Sequence, residues 1–219
     1  MSQSIDLFNV FEPGLLRGSA RLPHAPRKSY FYVEHPQKGW RVYLRAVCFI
    51  HEEGSHEGSH EGSHPQRFLV VKRKDATPES KAWEPPKGQM EGKDATPHGA
   101  NLIELMGENV RREVFEEAKI SEIHGLRYTG LVVQSSESDY PANTYFQYHI
   151  FQAYATPQII EKAQEEFAWL LAHPKYFQRL RADKREKDAL TWFDPKKTRL
   201  MGKWSPSIVA LYLQNVSKL

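Results

Sequence analysis

Arg112-Glu113-Val114-Phe115-Glu116-Glu117-Ala118-Lys119-Ile120 decides how the rest of the chain is read. On an α-helix, positions three and four apart share a face, so Glu113, Glu116 and Glu117 form one carboxylate cluster. Like charges at that spacing repel, and an ordinary solvated face interleaves lysines among its acids. The cation beside Glu113, Arg112, points to a neighbouring face. Val110 and Val114, with Phe115 beside them, make the other side apolar and anchor the helix on a core. Hard divalent cations relieve such repulsion, and Mg²⁺ favours carboxylate oxygens together with water and phosphates.

Upstream lies Trp83-Glu84-Pro85-Pro86-Lys87-Gly88-Gln89-Met90-Glu91-Gly92-Lys93-Asp94. Together the two blocks resemble the Nudix box, a glycine loop followed by a helix that ends in Arg-Glu-X-X-Glu-Glu. Gly88, Glu91, Arg112, Glu113, Glu116 and Glu117 match that pattern, and Val114 and Ile120 fill its hydrophobic positions. The sequence departs from it twice. Lys119 stands where the family has glycine, which suggests a different helix exit. The spacing from Gly88 to Arg112 is also about ten residues longer than the family's. Asp94 is a candidate for the isolated loop glutamate.

The resemblance implies an α/β protein, a Nudix-type α/β/α sandwich around a curved mixed sheet. It implies metal-dependent cleavage of a diphosphate bond in a nucleoside diphosphate linked to another moiety. Mg²⁺ or Mn²⁺ would be held by Glu113, Glu116, Glu117 and the Gly88 carbonyl, with Glu116 and Glu117 as the leading ligands. Glu113 is either a third ligand or the base that takes a proton from water. Arg112 would orient a neighbouring glutamate through a bidentate pair. Lys87, Glu91 and Trp83 are the candidate substrate contacts. The lead-in Trp-Glu-Pro-Pro-Lys-Gly looks like that of diadenosine tetraphosphate hydrolases, so a polyphosphate-bridged nucleotide is the first substrate expected. An RNA cap or a diphosphoinositol polyphosphate is the alternative. A non-catalytic Nudix-fold module that binds nucleotide or RNA is the reading from outside enzymology.

Composition narrows the setting. A chain of 219 residues with 40% hydrophobic content can bury one substantial core, so one domain with extensions is expected. We place an ordered but irregular N-terminal arm at 1–38, with Tyr30–Val33 as its one strand candidate, and the Nudix-type domain at 39–219. No apolar run approaches the ~20 residues that span a bilayer, and the start lacks the pattern of a secretory signal. Cys48 is the only cysteine. An intracellular, cytoplasmic protein with no membrane partner is therefore expected. Between Lys175 and Lys203 ten Lys or Arg stand against four Asp or Glu, which suits a polyphosphate and leaves RNA open as a partner.

Read in order, Trp40–Ile50 alternates and then becomes continuously apolar, as a buried strand does. Glu53-Gly54-Ser55-His56 is followed by two further copies of the same tetrapeptide. With His51, the repeat histidines His56, His60 and His64 invite a metal reading. The Gly and Ser content favours a flexible loop at 51–66, joining the first strand to a partner at Arg67–Lys74. An insertion falls at about 94–104. Asn101 is placed to cap a helix from Leu102, with Gly107 as a possible break and Met106 in the core. Strands are expected at 125–134 and 144–155. Pro157 to about Lys187 has helical composition, interrupted at Pro174, and Glu165 or Glu166 would serve as a base only if they faced the cleft. A short strand at 190–193 and a helix begun by Ser205-Pro206 close the chain.

Overall fold

The computed structural model describes residues 6–23, 25–54, 67–77, 79–95, 101–137 and 139–218. Among the described residues nine strands form: β1 (Leu16–Leu22), β2 (Ala25–Glu34), β3 (Arg41–Glu52), β4 (Leu69–Arg73), β5 (Trp83–Glu84), β6 (Lys87–Gln89), β7 (His124–Ser136), β8 (Thr144–Ala155) and β9 (Lys187–Trp192). The helices are α1 (Leu102–Ala118), α2 (Pro157–Ala172), α3 (Pro174–Arg179) and α4 (Trp204–Asn215). The larger sheet runs β1-β2-β3-β8-β7, with β6 also paired to β3, and a smaller sheet runs β5-β4-β9.

The apolar run in β3 reflects its place at the centre. It pairs with β8 in parallel from Arg41↔Thr144 to Glu52↔Ala155, and a parallel pair inside a sandwich is buried on both faces. Alternation divides its side chains. Val42, Leu44, Ala46, Cys48 and Ile50 join the core under α1 and α2, whereas Val47 and Phe49 join the core under α4. From α1 come Leu105, Met106, Val110 and Val114; from α4 come Ile208, Val209 and Tyr212. Burying each such aliphatic side chain contributes about 1.5–3 kcal/mol. Helices on both sides of a mixed sheet make the α/β/α sandwich.

Several expectations are corrected. The arm is not irregular over 16–34: the strand candidate Tyr30–Val33 lies within β2, which forms with β1 a hairpin that extends the large sheet. The strand after the repeat does not pair with β3; β4 lies between β5 and β9, and Phe68 meets Phe49 edge-on across the gap, ring centroids 4.7 Å apart. The repeat histidines His56, His60 and His64 lie outside the described residues. His51 belongs to β3 and is committed to the Arg67 carbonyl at 2.8 Å and the Tyr212 hydroxyl at 2.6 Å. The helical stretch after Pro157 ends early, and β9 begins at Lys187.

Helix α1 begins as expected, since Asn101 Oδ1 accepts the Ile103 N–H at 2.9 Å. It passes Gly107 without a break. Its exit, expected to differ, is the usual left-handed one: Lys119 adopts φ 60°, ψ 15°, a conformation that glycine takes more cheaply. The Lys119 ammonium compensates by donating to the Glu116 carbonyl at 2.6 Å and the Lys184 carbonyl at 2.7 Å. This ties the end of α1 to the segment between α3 and β9. Ser205 lies inside the first turn of α4, which starts at Trp204, and its hydroxyl points to a carboxylate described below.

Candidate active site

Strand β6 brings the glycine loop beneath α1. Ala46 is the partner of Gly88 in the β3–β6 pair, and there the backbone meets the first glutamate of the helix. A Cβ at Gly88 would fall 2.0 Å from Glu113 Cδ, so only glycine permits this approach. Glu113, Glu116 and Glu117 open into a cleft of about 800 Å³ that also takes in Lys28, Arg45, Arg73, Glu91 and Lys187.

The acids are held differently. Arg112 donates to both oxygens of Asp94, at 2.6 and 3.3 Å, and to Glu113 Oε1 at 3.3 Å. Asp94 lies in a single 3₁₀ turn, Gly92–Ala95, so Arg112 fastens this turn to the helix. Burial, then the charge of Glu117, push the Glu113 carboxyl up to about 8 against a weaker pull from Arg112. Glu91 is bracketed by Lys28 and Lys93, each at 2.9 Å. Burial pushes the Glu91 carboxyl up, and the two lysines outweigh it, leaving it below the usual range.

Deeper in the cleft Glu84, which is almost wholly buried, meets Lys187 at 2.5 Å and Lys87 at 2.6 Å, and accepts the Ser205 hydroxyl at 3.3 Å. Lys187 also reaches Glu117 at 3.0 Å, and Glu117 Oε2 accepts the Lys87 N–H at 3.0 Å. Burial raises the Glu84 carboxyl, but Lys87 and Lys187 bring it below its ordinary value. For Glu117 burial prevails over the pull of Lys187, so its carboxyl is raised. Burial alone would lower Lys187; Glu117 and Glu84 more than reverse this and stabilise its ammonium.

The structure thus brings together Gly88, Lys87, Glu91, Arg112 and the three box glutamates. It does not bring in Trp83. In the two-residue β5, neighbours point to opposite faces, so Trp83 joins the core under α4 while Glu84 enters the cleft. Glu165 and Glu166 lie exposed on α2 and do not line the cleft. Sequence reading missed Glu84, Lys187, Arg45, Lys28, Tyr148 and Ser205. For Glu84 a signal was present, an acid in a strand whose other neighbours are apolar or proline. Lys187 was hidden among the cations of a basic segment.

Among the described residues, no group of three or more His, Cys, Asp or Glu side chains is arranged to hold a metal ion by itself. The donor chemistry nonetheless suits a hard cation at Glu113 and Glu116. Mg²⁺ is commonly held by one or two carboxylates completed by water and substrate phosphates, and Glu116 adds to the negative charge around Glu113. A cation there would relieve that repulsion.

A NUDIX domain model matches residues 60–207, more than half of the chain. The chain belongs to the NUDIX domain family, a class of hydrolases that act on pyrophosphate-containing substrates. No curated protein matches the sequence. Among solved structures, a NUDIX hydrolase from Nitrosomonas europaea is 14% identical, with a TM-score of 0.41, covering 92% of this chain and 86% of that one. The E. coli ORF135 protein is 15% identical, TM-score 0.46, covering 84% and 97%. A C. elegans Ap4A hydrolase in a binary complex is 15% identical, TM-score 0.39, covering 81% and 100%. No helix among the described residues is long and apolar enough to cross a membrane.

Proposed function

We propose that this protein hydrolyses a phosphoanhydride bond in a nucleoside diphosphate joined to a second group, and that its substrate is a polyphosphate-bridged dinucleotide. The charge layout of the cleft carries this reading. The three box glutamates share it with Arg45 and Arg73, neither of which makes an ion pair with a carboxylate among the described residues. Arg45 is instead held by neutral partners, Gln89 Oε1 at 3.3 Å and the Tyr148 hydroxyl. Guanidinium groups kept free of carboxylates beside an acidic helix suit a chain of phosphates better than a single one.

Glu113 and Glu116 would hold Mg²⁺ or Mn²⁺, with the Gly88 carbonyl beside them. Bound there, the ion would neutralise phosphate oxygens and lower the pKa of an attacking water. Arg112 on one side and the Gly88 backbone on the other fix the Glu113 carboxylate in one orientation. Arg45 and Arg73 would bind the phosphates on either side of the scissile bond and balance the charge that builds on the leaving group. Lys28 and Lys93 act on Glu91 and keep it ionised at the mouth.

The experiment is product release from a panel of diadenosine tetraphosphate, capped RNA, ADP-ribose, a diphosphoinositol polyphosphate and 8-oxo-dGTP. It is run with Mg²⁺ or Mn²⁺, for wild type and Glu116→Gln. The expected result is metal-dependent turnover of diadenosine tetraphosphate ahead of the others, reduced about 100-fold or more in the variant. Preferred turnover of ADP-ribose with none of the polyphosphates would overturn the substrate. Binding without turnover of anything, unchanged in Glu116→Gln, would overturn the enzyme in favour of a binding module.

A further inference from the structure

Lys187 is a cleft residue from outside the box. Strand β9 delivers it: the β4–β9 register shifts between Lys72 and Arg73, which sets Lys187 opposite Arg73 at the cleft end of the pair. Its ammonium lies between Glu84 Oε1 and Glu117 Oε1, at 2.5 and 3.0 Å. The remaining oxygen of Glu117 is taken by the Lys87 N–H at 3.0 Å. The remaining oxygen of Glu84 is taken by the Lys87 ammonium and the Ser205 hydroxyl, at 2.6 and 3.3 Å. Every oxygen of this carboxylate pair therefore has a partner, and two glutamates are balanced by two lysines.

A divalent ion needs carboxylate oxygens with room for water around them. Glu117 offers neither while the ammonium is present, because Lys187, Glu84 and Glu117 have side chains only 6%, 1% and 6% exposed. Conditions nearer the mouth are the reverse. Arg112 places its shorter contact on Asp94 and reaches Glu113 only at 3.3 Å, so the Glu113–Glu116 side has less cationic compensation than the deep pair.

We infer that Lys187 is a built-in cation, whose ammonium fills the seat against Glu117 and Glu84 that a second divalent ion would occupy, so that the cleft takes a single ion, on Glu113 and Glu116. The inference rests on the metal-dependent reading above and goes beyond it by fixing the number of ions and by removing Glu117 from the ligand set. Lys187 is on this account a positioning residue. It holds Glu117 against the glycine loop and supplies a fixed positive charge at the floor of the cleft.

The test is titration of the full chain with Mn²⁺ alone, counting bound ions from the loss of the free-ion electron paramagnetic resonance signal. Wild type is expected to bind one ion per chain. Glu117→Gln should keep that ion with affinity within about threefold, whereas Glu113→Gln should weaken it about tenfold or more. In Lys187→Met the vacated seat should take a second ion. Two ions in wild type, loss of the single ion in Glu117→Gln, or one ion only in a folded Lys187→Met protein would each overturn the inference. Failure of Lys187→Met to fold leaves the wild-type and Glu117→Gln counts to decide it. No ion bound to wild type is a separate result, and it overturns the metal-dependent reading itself.

Discussion

Two lysines meet carboxylates inside the β4–β9 pair, and their surroundings differ. Lys72 pairs with Asp188 at 2.7 Å, with side chains 9% and 8% exposed. Its ammonium also donates to the Ala76 carbonyl, and Asp188 Oδ2 accepts the Asp75 N–H at 3.0 Å. That pair is matched one to one and fastened to the backbone of the turn that follows β4. Lys187, the residue before Asp188, faces two acids with a second lysine alongside, on the floor of an 800 Å³ cleft. A buried ion pair is weak evidence of net stabilisation, yet removing one partner is costly because the other charge is stranded. Structural and functional charge are told apart by these surroundings. The former is sealed in the turn that follows β4, and the latter lies on the floor of a cleft, where an ion can reach it once the ammonium is removed.

The largest effect expected from breaking this contrast is at Lys72. Lys72→Met strands Asp188 and should cost about 3–5 kcal/mol in urea denaturation. Mn²⁺ should leave that deficit relative to wild type unchanged, since nothing opens toward solvent there. For Lys187→Met the deficit should shrink as Mn²⁺ is added, because an ion that binds only the folded state stabilises it. Equal responses of the two variants would abolish the distinction between the pairs.

Gly88→Ala sharpens the contrast from the other side of the cleft. Its Cβ would sit 2.0 Å from Glu113 Cδ and 2.3 Å from Glu113 Cγ, so the Glu113 side chain must swing away while the Lys187 cluster stays in place. Hydrolysis of whichever panel member is turned over should fall about 100-fold, or ~2.7 kcal/mol in the barrier. Mn²⁺ binding should weaken with it. Unchanged turnover would mean that the reaction runs on the deep pair and not on Glu113.

What could be read from the sequence follows the range of the interactions involved. The carboxylate face of α1, its Asn101 cap and its apolar stripe are set within one or two turns of helix, so periodicity revealed them. The need for glycine at Gly88 came from the resemblance to a loop motif; its physical reason, contact with Glu113 twenty-five residues later, required the fold. Lys187 meets Glu84 across 103 residues of sequence, and a bulge in β9 pairing decides its direction; no local pattern encodes that. The hairpin over 16–34 was obscured because its polar outer residues and turn formers read as irregular chain, and its place in the sheet depends on pairing with β3. At Lys119 the side chain misled. A lysine suggested a new helix exit, whereas its ammonium helps to hold the old one.

His149 provides the third and smallest test, as the case of burial without any counter-ion. It is fully buried on β8; its ring nitrogens meet the Tyr128 hydroxyl at 3.1 Å and Gln147 Oε1 at 3.0 Å, and Phe11 packs against its edge. All three partners are uncharged. Burial alone drives its pKa from 6.5 down to about 3, so the folded protein keeps the ring neutral where Lys187, between its two acids, keeps its charge. Between those two values the unfolded chain binds a proton that the folded chain refuses, and stability falls as the pH drops below 6.5. At pH 5 the penalty from this residue is about 2 kcal/mol. Carboxylates add their own slope, so the quantity to measure is the difference between wild type and His149→Gln in denaturation midpoints at pH 7.5 and 5. Wild type should lose about 2 kcal/mol more than the variant over that interval. Parallel losses would mean that folded His149 takes up its proton normally, and that burial without a counter-ion does not separate it from the charged pairs.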